Sequence, residues 1–441
     1  MSAVQTLEKR TVKRVFWRIM PFLGLLYFVA FLDRVNVGYA ALVMNKDLAF
    51  SNAVYGLGAG LFFIGYFVME IPGNLIMTKV GPRWWIARIL ITWGIISGLT
   101  AFITTATHFY LIRFLLGVAE ASFYPCIIYY LSTWARKRDL AKAVALFMMA
   151  VPVCNVVASP ISTWLLGFSW LGLAGWKWMF VLEAVPAVIL GFLTPLCLSD
   201  KPEDAEWLAD DERSWLMTAL AEEQAAKLEK KKYSLLQALT DRDVLVLCLI
   251  YFFMNCGNYG LTLFLPIMVK ALSAQISNQM VGFLLMIPYA AGFCAMYLFG
   301  LGSDKSGERR GYCMVGLILG AVALFGNAYF GSVSPFIAIG FFTLGVFGLY
   351  GSYPPFWTIP TSFLTATSAA GAIAMINSIG NLGGFVGPYA MGYLREAMGS
   401  FASGVSVLGF GLLVGGLLLM TLKKTGKEED ESALRPAESK G

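Results

Sequence analysis

Twelve apolar runs, each about 20 residues or longer, follow one another along this chain, at roughly 20–44, 53–78, 84–105, 107–132, 141–166, 176–197, 243–269, 277–301, 312–330, 335–360, 368–394 and 400–422. A helix needs about 20 apolar residues to cross the hydrocarbon core of a bilayer. In lipid every backbone polar group must be satisfied within its own segment, so such runs become helices. Barrel strands are about 10 residues long and alternate in polarity, a pattern these runs lack. Composition agrees, with 58% of the 441 residues hydrophobic and 14% charged, and a mean hydropathy of +0.68. A single soluble core stops growing at about 250–300 residues, and so apolar a chain excludes disorder. The expected fold class is an all-α membrane protein with twelve spans.

Basic residues orient it, because Lys and Arg collect on cytoplasmic loops. Lys9, Arg10, Lys13, Arg14 and Arg18 precede span 1. Lys79 and Arg83 follow span 2, and Arg136, Lys137, Arg138 and Lys142 follow span 4. Lys305, Arg309 and Arg310 follow span 8, and Lys423, Lys424 and Lys427 follow span 12. The alternate loops are short and nearly uncharged, apart from Lys46 and Lys270. Both termini are therefore expected on the cytoplasmic side of a plasma membrane. The first apolar run is too long for a signal-peptide core and lacks a small-residue cleavage site, so it reads as an uncleaved anchor.

The expected organisation is a cytoplasmic segment 1–19, a six-helix bundle 20–197, a cytoplasmic connector 198–242, a second six-helix bundle 243–422 and a disordered tail 423–441. In the connector, Trp207, Leu208, Trp215 and Leu216 recur near helical spacing beside Asp210, Asp211, Glu212 and Arg213. That pattern predicts an amphipathic surface helix. Seven cysteines lie in apolar stretches without a CxxC pair, and the single histidine, His108, sits beside a short turn. Zinc sites gather several His or thiolate ligands, so no metal or cofactor is expected.

Internal repeats come next. Asn74-Leu-Ile-Met-Thr78-Lys79-Val-Gly81-Pro-Arg83 after span 2 parallels Gly300-Leu-Gly-Ser-Asp304-Lys305-Ser-Gly307-Glu-Arg309 after span 8, at an offset of 226. Leu116-Gly117-Val118 parallels Leu344-Gly345-Val346, and Ser159-Pro160 parallels Gly387-Pro388, both at 228. Three weak matches at nearly one offset predict two similar six-helix bundles. Paired bundles with a substrate site at their interface are a transporter architecture.

The charges within spans are lopsided. A charge at bilayer depth costs about 2.5–3.5 kcal/mol on insertion scales, which makes it a functional candidate. The first half carries Asp33, Arg34, Glu70, Arg113, Glu120 and Glu183, whereas 244–269 and 311–394 carry no charged side chain. Arg113 and Glu120 are two turns apart on one helix face, with Gly117 between them leaving room for a neighbour or a ligand. Asp33 and Arg34 are adjacent, so they point about 100° apart. Each therefore needs a partner on another helix: Asp33 near Arg113, or Arg34 near Glu120. A purely structural ion-pair network and a coupled proton and anion site both fit this set. In the second case Asp33 and Glu120 load and release protons, while Arg34 and Arg113 take a carboxylate in bidentate fashion. Glu183 and Glu70 read as structural.

These residues also carry a resemblance. The loop with Gly300, Asp304, Lys305, Gly307 and Arg309 resembles the gating-loop signature of the major facilitator superfamily; the first copy departs from it at Asn74 and Thr78. Phe31-Leu-Asp33-Arg34-Val-Asn36-Val-Gly38, Arg113-Phe-Leu-Leu-Gly117-Val-Ala-Glu120-Ala and Gly175-Trp-Lys-Trp178-Met-Phe-Val-Leu-Glu183 resemble the anion:cation symporter family within it. The chain is most similar there to bacterial tartrate, rhamnonate and hydroxyphenylacetate permeases. The resemblance implies that Tyr66, Trp357 and Asn377 line the substrate cavity. It has no counterpart here for a glutamine-type contact in span 5, where Val151 and Pro152 stand.

The expected function is proton-coupled uptake of a small organic carboxylate by alternating access, in a bacterial inner membrane. Its partners are the organic anion, protons and the lipid bilayer, without nucleic acid, and the working unit is expected to be a monomer. The alternative is an exporter of organic anions or drugs on the same fold. Drug exporters often carry a Gly-Pro-rich signature in span 5, of which only Ser159-Pro160 is present. An enzyme is not expected, since no Ser-His or Asp-Asp catalytic pairing stands out. A nutrient sensor would carry long tails.

Overall fold

The computed structural model describes residues 3–228, 240–363 and 366–422. The regular structure among them is helical. Eight helices run up to the connector: α1 (Ala3–Asp47), α2 (Asn52–Val80), α3 (Pro82–Leu99), α4 (Ala106–Glu120), α5 (Phe123–Trp134), α6 (Lys137–Met148), α7 (Ala150–Leu165) and α8 (Gly175–Cys197). The connector holds α9 (Asp210–Leu228). Then come α10 (Arg242–Ala271), α11 (Asn278–Ser306), α12 (Arg309–Phe330), α13 (Pro335–Phe363), α14 (Ala366–Asn381), α15 (Gly383–Met398) and α16 (Phe401–Leu418).

Eleven stretches of the described residues are helices long and apolar enough to cross a membrane. The other expected span, 368–394, is two consecutive shorter helices, α14 and α15, parted at Leu382. The glycine pair Gly383 and Gly384 follows that break. The expected tail 423–441 and connector residues 229–239 lie outside the described residues.

Two further spans are interrupted, each three residues before a proline. Span 4 breaks at Ala121 and Ser122, ahead of Pro125; span 5 breaks at Met149, ahead of Pro152. A proline ring clashes with the carbonyl four residues back and supplies no N–H. The first turn of a new helix avoids both costs, and Pro125 and Pro152 stand in the first turns of α5 and α7. Ser122 takes a left-handed conformation, φ 74°, uncommon outside glycine. It is fully buried, where irregular backbone at membrane depth belongs.

The helix α1 is not confined to its apolar run. Its 45 residues reach roughly 65–70 Å at 1.5 Å per residue, against about 30 Å of hydrocarbon. The segment 1–19 is thus helical from Ala3 onward. Its projecting end holds the connector. Arg10 Nε and Arg14 Nη1 donate to the buried Glu212 carboxylate at 2.8 and 2.6 Å, and Arg10 also pairs with Asp211. Trp207 stacks on Trp134 at 5.4 Å, and the Arg136 guanidinium lies 5.0 Å from the Trp215 ring. Leu208 and Leu216 are buried, so the amphipathic pattern of the connector is satisfied by α1 and the end of α5.

The chain forms two compact units. The first comprises the described residues of Met1–Lys231, Thr262–Ala290 and Pro388–Ser400. In it α2 packs on α4, α3 on α8, and α1 on α7 and α8. The second comprises those of Lys232–Leu261, Ala291–Gly387 and Phe401–Gly441, with α12 packed on α13 and α16. Segments 262–290 and 388–400 belong by sequence to the second half but cluster with the first. One such contact is Tyr55, whose hydroxyl donates to the Leu263 carbonyl at 2.8 Å.

The two repeat loops share a backbone device. Gly81 and Gly307 both have positive φ, 93° and 74°, a conformation only glycine adopts without strain. Their common offset in sequence is therefore a common turn in space.

Candidate functional site

In the first unit, α1 supplies Asp33 and Arg34, α2 supplies Phe62 and Tyr66, and α4 supplies Arg113 and Glu120. Arg34 pairs with Glu120, which is 1% exposed. The Arg34 guanidinium lies 5.6, 5.3 and 5.6 Å from the ring centroids of Phe31, Phe62 and Tyr66. Rings at this range stabilise a desolvated cation by about 2 kcal/mol or less each. Of the two pairings open in the sequence, this one forms.

Asp33 turns to α3 instead. Its carboxylate accepts from Trp93 Nε1 at 2.8 Å, Ser97 Oγ at 3.1 Å and Asn36 Nδ2 at 3.2 Å. Three donors can hold a buried carboxylate without a cation. Trp93 and Ser97 lie on α3, i and i+4, and were not legible as site residues. A polar pair at helical spacing in an apolar run was the available signal.

Arg113 is left without an acid. It is 1% exposed, its guanidinium lies 5.1 Å from the Phe62 ring, and Nε and Nη2 have no hydrogen-bond partner. Among the described residues no carboxylate comes within ion-pair distance of it. Bare buried donors are costly, and the fork of a guanidinium matches the two oxygens of a carboxylate. Gly117, between Arg113 and Glu120, faces a neighbour rather than a ligand. A Cβ there would collide with the Phe62 carbonyl oxygen. This close approach sets α2 against α4 and brings Phe62 to both guanidinium groups.

Glu120 stands next to irregular backbone, since α4 ends there, and Arg34 of the continuous α1 is bonded to it. Broken helices of this kind border ion and substrate sites in transporters.

The second unit has neutral groups of its own. The half-buried Trp357 on α13 packs against Tyr251 and Phe356, with centroids 4.9 and 5.4 Å away. Its Nε1 has no hydrogen-bond partner. Tyr353 donates to Asn255 Oδ1 at 3.3 Å. Asn255 and Asn258 on α10 are buried, and sequence reasoning passed over them although amides in an uncharged run are a readable signal. Asn377 is half-buried on α14.

In the loop after α11, Arg309 pairs with Asp304 and donates to Ser303 Oγ at 3.2 Å, while Lys305 is exposed. In the first copy Thr78 donates to its own helix, at Leu75 O, 2.8 Å. There the acid comes from after α8: Asp200 Oδ1 accepts the Arg83 backbone N–H at 3.0 Å. His108 pairs with Thr104 at 3.2 Å at an exposed helix start, and the seven cysteines are free thiols.

Comparison with known proteins accords with this helix set and its two related loops. A family model described as Major Facilitator Superfamily matches residues 23–388 and 247–438. The chain belongs to the major facilitator superfamily. A protein of Agrobacterium vitis named as a candidate tartrate transporter is 48% identical over 423 residues, covering 96% of each chain. A quinolone resistance transporter of Acinetobacter baumannii is 40% identical over 412 residues, covering 93% of this chain and 94% of that one. The structure of a xylose transporter from E. coli superposes with a TM-score of 0.73 at 14% identity, over 94% of this chain and 99% of that one. As a member of this superfamily the chain is a multi-pass membrane transporter and not an enzyme.

Proposed function

We propose that this transporter takes up a small organic carboxylate, of the tartrate or sugar-acid class, together with protons. The observation that carries this reading is Arg113, a buried cation whose donors lack an acid, beside an Arg34 held by Glu120. An incoming carboxylate supplies the missing anion. Protonation of Glu120 releases Arg34 to join Arg113 on the substrate, and Asp33 loads a second proton from its position against α3. Tyr66 stands beside the Arg34 guanidinium and serves the same anion; Trp357 and Asn377 are the substrate-contacting residues of the second unit. The loop residues Asp304, Lys305, Gly307 and Arg309 gate the cycle. The A. vitis relative, named for tartrate, supports the substrate class. The proposed setting is a bacterial inner membrane with both termini cytoplasmic, two six-helix halves and a monomer as the working unit.

A second reading is export of an organic anion or drug, favoured by the 40% identical quinolone resistance transporter. Purified protein in liposomes separates the two. Inward accumulation of labelled tartrate under an inwardly directed proton gradient is expected, with loss of uphill transport in Asp33→Asn. Uptake that ignores an imposed gradient, or quinolone efflux without acid uptake, would sink the symport reading.

A further inference from the structure

Glu183 lies on α8 and is 3% exposed. One carboxyl oxygen accepts from Ser162 Oγ at 2.7 Å. The other, Oε2, has no donor in hydrogen-bonding geometry. The titratable groups that face it are Asp33 and Tyr39 on α1 and Cys154 on α7. Neither α1, α3 nor α7 brings a cation to it, and among the described residues no Lys or Arg nitrogen reaches ion-pair distance. Asn36 lies between the two acids: its amide donates to Asp33 at 3.2 Å and sits beside Glu183.

The two carboxyls are therefore unequal. Asp33 has two donors of its own, Trp93 and Ser97, and Glu183 has one, Ser162; the Asn36 amide bears on both. Two neighbouring carboxylates in a low-dielectric site without a cation do not both ionise. The better-solvated member takes the charge, and the other keeps its proton. Glu183 leaves one carboxyl oxygen without a partner.

We propose that Glu183 is a proton-binding site of the transport cycle, paired with Asp33 through Asn36. In the state seen here the proton resides on Glu183 and the charge on Asp33. When the donors of Asp33 rearrange during the cycle, Asp33 takes a proton from the outer side and Glu183 releases its own to the inner side, so one coupled proton passes through the pair per cycle, and Asp33 returns its proton to Glu183 on resetting. The transport part of this inference rests on the proton-coupled reading above.

The test uses the full chain, purified, with Glu183→Gln and Glu183→Asp. Infrared spectroscopy reads the carbonyl stretch of protonated carboxyls directly. Wild type is expected to show a band that Glu183→Gln lacks and Glu183→Asp restores. In liposomes with the membrane potential clamped at zero, each coupled proton adds about tenfold accumulation per pH unit of gradient. The steady-state accumulation of labelled L-tartrate should fall about tenfold in Glu183→Gln at a one-unit gradient, with recovery in Glu183→Asp. An infrared spectrum unchanged by Glu183→Gln overturns the inference, as does an accumulation ratio equal to that of wild type. A wild type that ignores the gradient, or excludes tartrate, defeats the symport or substrate reading instead. The infrared comparison then still decides whether Glu183 holds a proton.

Discussion

Arg34 on α1 is bound by Glu120, the last residue of α4, two residues before the left-handed Ser122. The pair joins two helices at a point where the backbone of one is interrupted. Replacing the acid by its neutral isostere should therefore mimic protonation. In Glu120→Gln, substrate affinity at neutral pH is expected to rise or hold, and its dependence on pH to flatten. In wild type, affinity falls as pH rises and Glu120 re-forms its bond to Arg34. Titration calorimetry with L-tartrate across a pH series checks this; a variant with the wild-type pH profile removes Glu120 from the coupling.

Arg113 should be indispensable for binding and intolerant of lysine. An ammonium has no planar fork, and losing one partner of a buried charge pair costs about 2–5 kcal/mol. Arg113→Gln and Arg113→Lys are each expected to weaken tartrate binding at least ~30-fold. A Lys variant with wild-type affinity would show that Arg113 serves packing alone.

Gly117 predicts a stability effect at the same spot. A Cβ at that position meets the Phe62 carbonyl, which belongs to the backbone and cannot rotate away. Gly117→Ala should cost about 1–3 kcal/mol, read as a lowered melting temperature in detergent. Gly117→Leu should not yield a monodisperse protein by size-exclusion chromatography.

The connector should come loose when its buried acid is removed. Glu212 is fully buried and takes hydrogen bonds from two arginines, whereas Asp211 is about half exposed. Hydrogen bonds to charged groups contribute about 1.5–3 kcal/mol, and exposed ion pairs about 0–1 kcal/mol. Glu212→Ala is expected to accelerate tryptic cleavage in the connector several-fold, and Asp211→Ala to leave it nearly unchanged. Limited proteolysis of the folded protein measures both.

Much of the architecture was readable in the order of residues. Run length dictates a spanning helix because lipid offers the backbone no other partner. The scarcity of charge within spans made Asp33, Arg34, Arg113, Glu120 and Glu183 visible, since each is too costly to be there by accident. The repeat of Gly81 as Gly307 was visible as a spacing, and positive φ at both supplies its reason. Pro125 and Pro152 also stood in plain view, but a proline says only that a helix is interrupted or kinked nearby. That Ser122 would take the left-handed turn, two residues after Glu120, depended on the packing around it.

The pairings were not in the sequence. Periodicity gives the direction of a side chain from its own helix axis and says nothing about which neighbour stands opposite. Asp33 and Arg34 each had a candidate partner on α4. Only the approach of α3 to α1 decided that Asp33 would meet Trp93 and Ser97, and so left Arg113 without its acid. The same holds for Glu183, which read as a structural residue until Ser162 and Asn36 were seen around it. By itself the sequence determined that this chain crosses a membrane as a bundle of helices, with the charge at mid-span depth confined to the first half. The tertiary structure decided which charge is neutralised, which is held by neutral donors and which is left open, because those outcomes depend on contacts between helices far apart in the chain.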